Sequence, residues 1–124
     1  MCGCVKKEGL AGIGIMITYS VFKKIFDAYP GEPECEIYFN GTDVTYMIIK
    51  YKRYVTFCRC GYIVEGTEEF KYDNLDELYH SVLVDGICLE KDWNNIETIV
   101  IDSSFDLAFD DRIDKLKTWL KLDI

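Results

Sequence analysis

The chain has 124 residues, 49% of them hydrophobic and 15% aromatic, with a formal net charge of −8. That length suits a single domain with one core, and the apolar content is too high for an intrinsically disordered chain. The acidity argues against direct nucleic-acid binding, which needs basic charge to displace counterions, and no apolar run approaches the roughly 18 residues of a membrane span.

Residues 1–15 read as an irregular leader, with glycines at 3, 9, 12 and 14, ahead of a single domain over 16–124. Met16 stands at the head of the first helical pattern and is a second candidate start. From Thr18 a period of 3.6 emerges. Tyr19, Phe22, Phe26 and Tyr29 form a stripe with Val21 and Ile25 beside it, while Lys23, Lys24 and Asp27 lie opposite. Pro30, Gly31 and Pro33 stop that helix.

Strands are expected over 35–39 and 44–51, joined at Asn40-Gly41, where both residues tolerate the positive φ of a hairpin turn. Lys52-Arg53 turns into a third strand over 54–63, and Glu65-Gly66-Thr67 into a fourth over 68–72. In the second strand both alternating sets are apolar, which predicts a central position with both faces at least partly covered.

Asn74-x-x-Glu77 has the form of a capping box before Leu75 and Leu78, and Asp85-Gly86 is a turn. Leu89, Trp93 and Ile96 suggest a second brief helix, and 98–101 a short buried strand. A closing helix over 110–122 turns Ile113, Leu116, Trp119 and Leu120 inward, with acidic residues at its start and Lys121 at its end as the helix dipole favours. The expected fold is α+β: a four-stranded antiparallel meander packed with an N-terminal helix, two short helices and a C-terminal helix.

Charge is divided unevenly. Residues 1–62 carry eight Lys/Arg and six Asp/Glu, a net of +2, whereas residues 63–124 carry six and sixteen, a net of −10. Asp102, Asp106, Asp110, Asp111 and Asp114 form the main series. Helical spacing of four would set such charges about 6 Å apart, near two axial phosphate steps of about 3.4 Å on a DNA strand. The plainer interpretation is a solvated face with an acidic helix start. Glu65, Glu68 and Glu69 make a second acidic group, which serves equally to protect a sheet edge.

Six cysteines and no signal sequence point to reduced thiols in a cytoplasmic protein. Cys2-Gly3-Cys4 and Cys58-Arg59-Cys60 are paired C-x-C motifs. Residues two apart on a strand share a face, so Cys58 and Cys60 should present their thiols together, with Arg59 opposite. Completed by Cys2 and Cys4 they would make a tetrathiolate zinc site, although zinc motifs usually space their cysteines more widely; small buried hydrophobes are the alternative. Redox catalysis is a weaker reading, because reactive pairs favour C-x-x-C at a helix N-terminus. His80, the only histidine, has no matching nucleophile motif and reads as a helix-end residue, and Gly9-x-x-Gly12-x-Gly14 is not a dinucleotide fingerprint.

Residues 74–93, N-L-D-E-L-Y-H-S-V-L-V-D-G-I-C-L-E-K-D-W, resemble a segment of small uncharacterised proteins of Firmicutes and their phages. The resemblance implies packing, with Leu75, Leu78, Leu89 and Trp93 in the core, and no activity. In size and charge the chain is also similar to phage-borne host-defence inhibitors, including anti-CRISPR proteins. That similarity implies a non-enzymatic inhibitor whose acidic second half meets a basic nucleic-acid-binding protein. A zinc-stabilised binding module and a small thiol-dependent enzyme are the alternatives.

Overall fold

The computed structural model describes residues 17–60, 70–108 and 110–123. The leader at 1–15, Met16 and the Glu65-Gly66-Thr67 turn lie outside these residues. Helix α1 (Tyr19–Ala28) is followed by β1 (Glu34–Phe39), β2 (Thr45–Lys50), β3 (Val55–Arg59) and β4 (Phe70–Tyr72). Then come α2 (Leu75–His80), α3 (Leu89–Asp92), β5 (Ile96–Ile101), β6 (Phe105–Asp106) and α4 (Asp110–Leu120). The architecture is α+β, and no described helix is long and apolar enough to cross a membrane.

The sheet has six strands in the order β4-β3-β2-β1-β5-β6, all neighbours antiparallel, rather than the expected four. The meander itself is present. After two helical excursions, however, β5 returns to pair with β1, and a tight turn adds β6 at the edge. In that turn Asp102 and Ser103 both have left-handed backbone (φ 55° and 56°), and Ser104 N–H donates to Ile101 O. This is primed-turn geometry, suited to strand twist, in residues that seldom adopt it without support. Asp102 supplies the support: its carboxylate accepts from Glu34 N–H at 3.2 Å, tying the turn to the start of β1.

Alternation then divides the sheet into two faces. Cys35, Ile37 and Phe39 of β1 are buried, as are Tyr46 and Ile48 of β2, Val55 and Phe57 of β3, and Ile99 and Ile101 of β5. Phe22, Ile25 and Phe26 of α1, Leu78 of α2, Leu89 of α3 and Leu116 of α4 join that core, so the helices share one face. The other set of β2, Thr45, Met47 and Ile49, is only half-buried. Both faces of this strand are therefore at least partly covered, as expected, fully on the helix side and partly on the other.

Helix starts follow their sequence signals. Thr18 accepts from Val21 N–H, and Asn74 accepts from Glu77 N–H at 2.8 Å. The Glu77 carboxylate reaches back to Asp73 N–H, one residue before the position a capping box normally serves. The segment after Leu89 divides: α3 ends at Asp92, a single 3-10 turn covers Trp93–Asn95, and Ile96 already opens β5. In α4, Ile113 and Leu116 point inward as expected. Trp119 is a correction, being 53% exposed. Its ring lies along the edge of the core against Tyr29 and Phe105, centroids 5.4 and 6.0 Å away.

The C-terminus of α1 carries no basic residue of its own, and Lys50 of β2 fills the gap. Its ammonium donates to the carbonyls of Phe26, Asp27 and Tyr29 at 2.9, 2.9 and 3.2 Å, where the helix dipole favours a cation. Replacing Lys50 by Met keeps the stem packed but removes these charge-assisted bonds. Unfolding free energy measured in urea should fall by about 2 kcal/mol, and an unchanged midpoint would remove the cap from the account of α1.

Candidate functional site

The face of the sheet away from the helices carries a mixed surface that the register orders into rows. One row runs Asp106, Val100, Glu36, Met47, Cys58 across five strands, and the next runs Glu34, Ile49, Thr56, Lys71 across four. Tyr38, Thr45 and Thr98 occupy the same face one step along. Met47, Ile49, Val100 and Tyr38 are half-buried and form an apolar floor, while Thr56 is fully buried and marks where that floor closes.

Three carboxylates gather on the β1, β5 and β6 side of this face: Glu34, Glu36 and Asp106. Neighbouring strands lie about 4.8 Å apart and residues two apart on a strand about 6.8 Å, so these groups share a compact area. Among the described residues, none of the three is held in an ion pair with lysine or arginine. Asp106 is oriented by accepting from the Thr98 hydroxyl and from Ala108 N–H. Asp102, in the turn after β5, is turned instead toward the helix side, where it is hydrogen-bonded to the Tyr29 hydroxyl as well as to Glu34 N–H.

Neighbouring groups register the negative potential. The Cys60 thiol is pushed up from its ordinary value by burial, then by the charges of Glu36 and Glu34, against the opposing effect of its hydrogen bond with Cys58. The Tyr38 phenol is also pushed up, first by burial and then by its hydrogen bond to Glu36, with Asp106 contributing through its charge. Both shifts disfavour a further anion, which is what a field of carboxylates should do.

Of the residues singled out in the sequence, Asp106 belongs to this cluster, and Asp102 lies at the end of β5 against Glu34 N–H and the Tyr29 hydroxyl. Asp110, Asp111 and Asp114 instead lie on α4, where Arg112, Lys115 and Lys117 are interleaved with them, and Asp114 is exposed. Glu65, Glu68 and Glu69 lie outside the described residues, as do Cys2 and Cys4. The acidic series is thus divided between a sheet face and a charge-mixed helix. Glu34 and Glu36 were missed because they belong to the half of the chain with a positive net charge. Their signal was present in β1 as strict alternation of polar Glu34, Glu36 and Tyr38 with buried Cys35, Ile37 and Phe39.

Cys58 and Cys60 do share a face and are hydrogen-bonded to each other, with Arg59 on the opposite side, bonded to Asp85. Among the described residues no group of three or more His, Cys, Asp or Glu is arranged to hold a metal. The upward shift of Cys60 is opposite to what a nucleophilic thiol needs. Cys35 and Cys88 are buried as small hydrophobes. His80 is an exposed helix-end residue whose Nδ1 meets Glu90 at 3.2 Å.

No protein-family model matches the chain, and no curated protein or solved structure matches it either.

Proposed function

We propose that this chain is a non-enzymatic binding domain that takes a basic protein partner on the acidic side of its uncovered sheet face. Under this reading it acts as an inhibitor of a nucleic-acid-binding protein, in the manner of the phage-borne inhibitors it resembles in size and charge. The observation that carries the proposal is the convergence of Glu34, Glu36 and Asp106, without ion-pair partners among the described residues, beside a half-exposed apolar floor of Met47, Ile49 and Val100. Charged groups around an apolar centre are the usual anatomy of a protein interface. Alternate residues on β1 repeat at about 6.8 Å, or two axial phosphate steps of a nucleic-acid strand, so the edge of this face offers a basic groove a familiar spacing.

The experiment is capture of a partner from host lysate, followed by titration of the purified pair. Exchanging Glu34 and Glu36 for Lys together should weaken binding at least about tenfold, mainly through a slower association rate. Converting Asp110, Asp111 and Asp114 to Asn should change it far less, since α4 alternates them in sequence with Arg112, Lys115 and Lys117. Binding should weaken as salt rises and be displaced by nucleic acid. A complex indifferent to salt, or one lost with the helix variant and retained with the sheet variant, would overturn the assignment.

A further inference from the structure

A second site lies at the opposite end of the molecule's chemistry, on the helix side of the sheet. Between the β1–β2 loop, the turn at Asp85 and the turn entering β5 is a cleft of about 280 Å³. Its apolar floor is made by Phe39 and Tyr46, whose rings meet edge to face with centroids 5.6 Å apart. Two carboxylates line it, Asp85 and Asp92.

These carboxylates differ in how far they are compensated. Asp85 accepts from the Tyr46 hydroxyl at 2.7 Å and from Arg59 at 3.3 Å, so its charge is offset within the protein. Asp92 is 8% exposed, and among the described residues its side chain accepts a single hydrogen bond, from Cys88 N–H to Oδ2 at 3.0 Å. A carboxylate offers about four acceptor positions, and burying its charge is unfavourable without a counter-charge. The cleft therefore retains one uncompensated negative charge against aromatic walls.

We propose that this cleft binds a small organic ammonium ion, with the cation set between Asp92 and the aromatic pair. Aromatic faces and a carboxylate attract the same positive group, and partial desolvation strengthens both attractions. With Asp85 offset by Arg59, the one remaining charge, that of Asp92, matches a monocation. The volume lies just below the range of drug-sized pockets, which selects a small molecule over a peptide or nucleotide. The proposal stands on different residues from the acidic sheet face and does not depend on it.

The test follows backbone amide shifts of the isotope-labelled full chain during titration with benzylamine and with choline, using benzyl alcohol as the neutral counterpart. Both amines should shift Asn40, Gly41, Asp85 and Gly86, and benzyl alcohol should bind at least about tenfold more weakly than benzylamine. Asp92→Asn keeps an acceptor for Cys88 N–H and should weaken the amines by a similar factor. Thr42→Trp, at an exposed position on the cleft wall, should block binding while leaving the core intact, and it serves as the test if the Asp92 variant fails to fold. Equal affinity for alcohol and amine would overturn the proposal. So would amine binding that survives Thr42→Trp, or shifts confined to Glu34, Glu36 and Asp106, which would mark general attraction of cations to the sheet face.

Discussion

Replacing Trp93 by Ala should destabilise the chain by about 3–5 kcal/mol, the largest effect expected of any single substitution here. Trp93 is 8% exposed, and its ring lies among Tyr19, Phe22 and Tyr79 with centroids 5.5, 5.8 and 6.1 Å away. Its indole N–H donates to Ile17 O at 2.9 Å, joining the residue before the Thr18 cap of α1 to the turn that leads into β5. Truncation removes the ring and also strands a carbonyl on a residue only 4% exposed, which adds a desolvation penalty. Domains of this size are stable by about 5–15 kcal/mol, so a substantial share would be lost. The melting temperature followed by circular dichroism should fall by roughly 10–20 °C. Trp93→Phe separates the two contributions: it keeps aromatic packing, loses the hydrogen bond and should cost about 1–3 kcal/mol. If the Ala variant melts within a few degrees of the parent, the aromatic cluster is not what binds α1 to the rest of the fold.

That cluster also shows which parts of the fold a sequence reveals. The stripe of α1, the cap at Asn74 and the meander from β1 to β4 all depend on neighbours within a few residues, and local period or turn chemistry exposes them. Pairing of β5 with β1 joins residues about sixty positions apart, as in Ile37 opposite Ile99, and leaves no local trace. The same pairing carries a bulge, because Tyr38 faces Thr98 while Phe39 faces Ile96, so Glu97 is the extra residue. A strand of two residues such as β6 is too short for any periodic signal.

The candidate interface was half legible for the same reason. Period two placed Cys58 and Cys60 together correctly, since it needs only the strand assignment. Adding charges along the chain pointed to Asp106, but it also gathered Asp102, which turns toward Tyr29, and the α4 aspartates, which share a helix with lysines and an arginine. It left out Glu34 and Glu36, because only the long-range register sets Glu36 beside Val100 and Val100 beside Asp106. Net charge per segment is a property of the chain, whereas potential at a surface is a property of register.

Packing of the helices and turns also places phenols against carboxylates, and this predicts a cooperative loss of structure in alkali. The Tyr19 hydroxyl donates to Asp76 at 2.5 Å and that of Tyr46 to Asp85 at 2.7 Å. Burial, then these acidic partners, push both phenols well above the ordinary 10.0. Burial and the charge of Asp102 push Tyr29 up to about 12. Asp76 shifts the opposite way, lowered chiefly by the Tyr19 hydrogen bond and further by Lys23, as expected when one proton is shared between an acid that keeps it and one that has already lost it. A phenol whose folded value is raised contributes stability that is fully present below pH 10 and is lost as pH rises toward the folded value. Native helix signal should therefore hold to about pH 10 and fall steeply over the next two units, with phenolate absorbance rising in step. Tyr19→Phe keeps the ring available to stack on Tyr79, 3.6 Å between centroids, but has no proton to lose, so its alkaline transition should be shallower. Tyrosines that all ionise around pH 10 while the helix signal remains native would show that these hydroxyls are free in solution, and the links from α1 to α2 and from β2 to the Asp85 turn would have to be withdrawn.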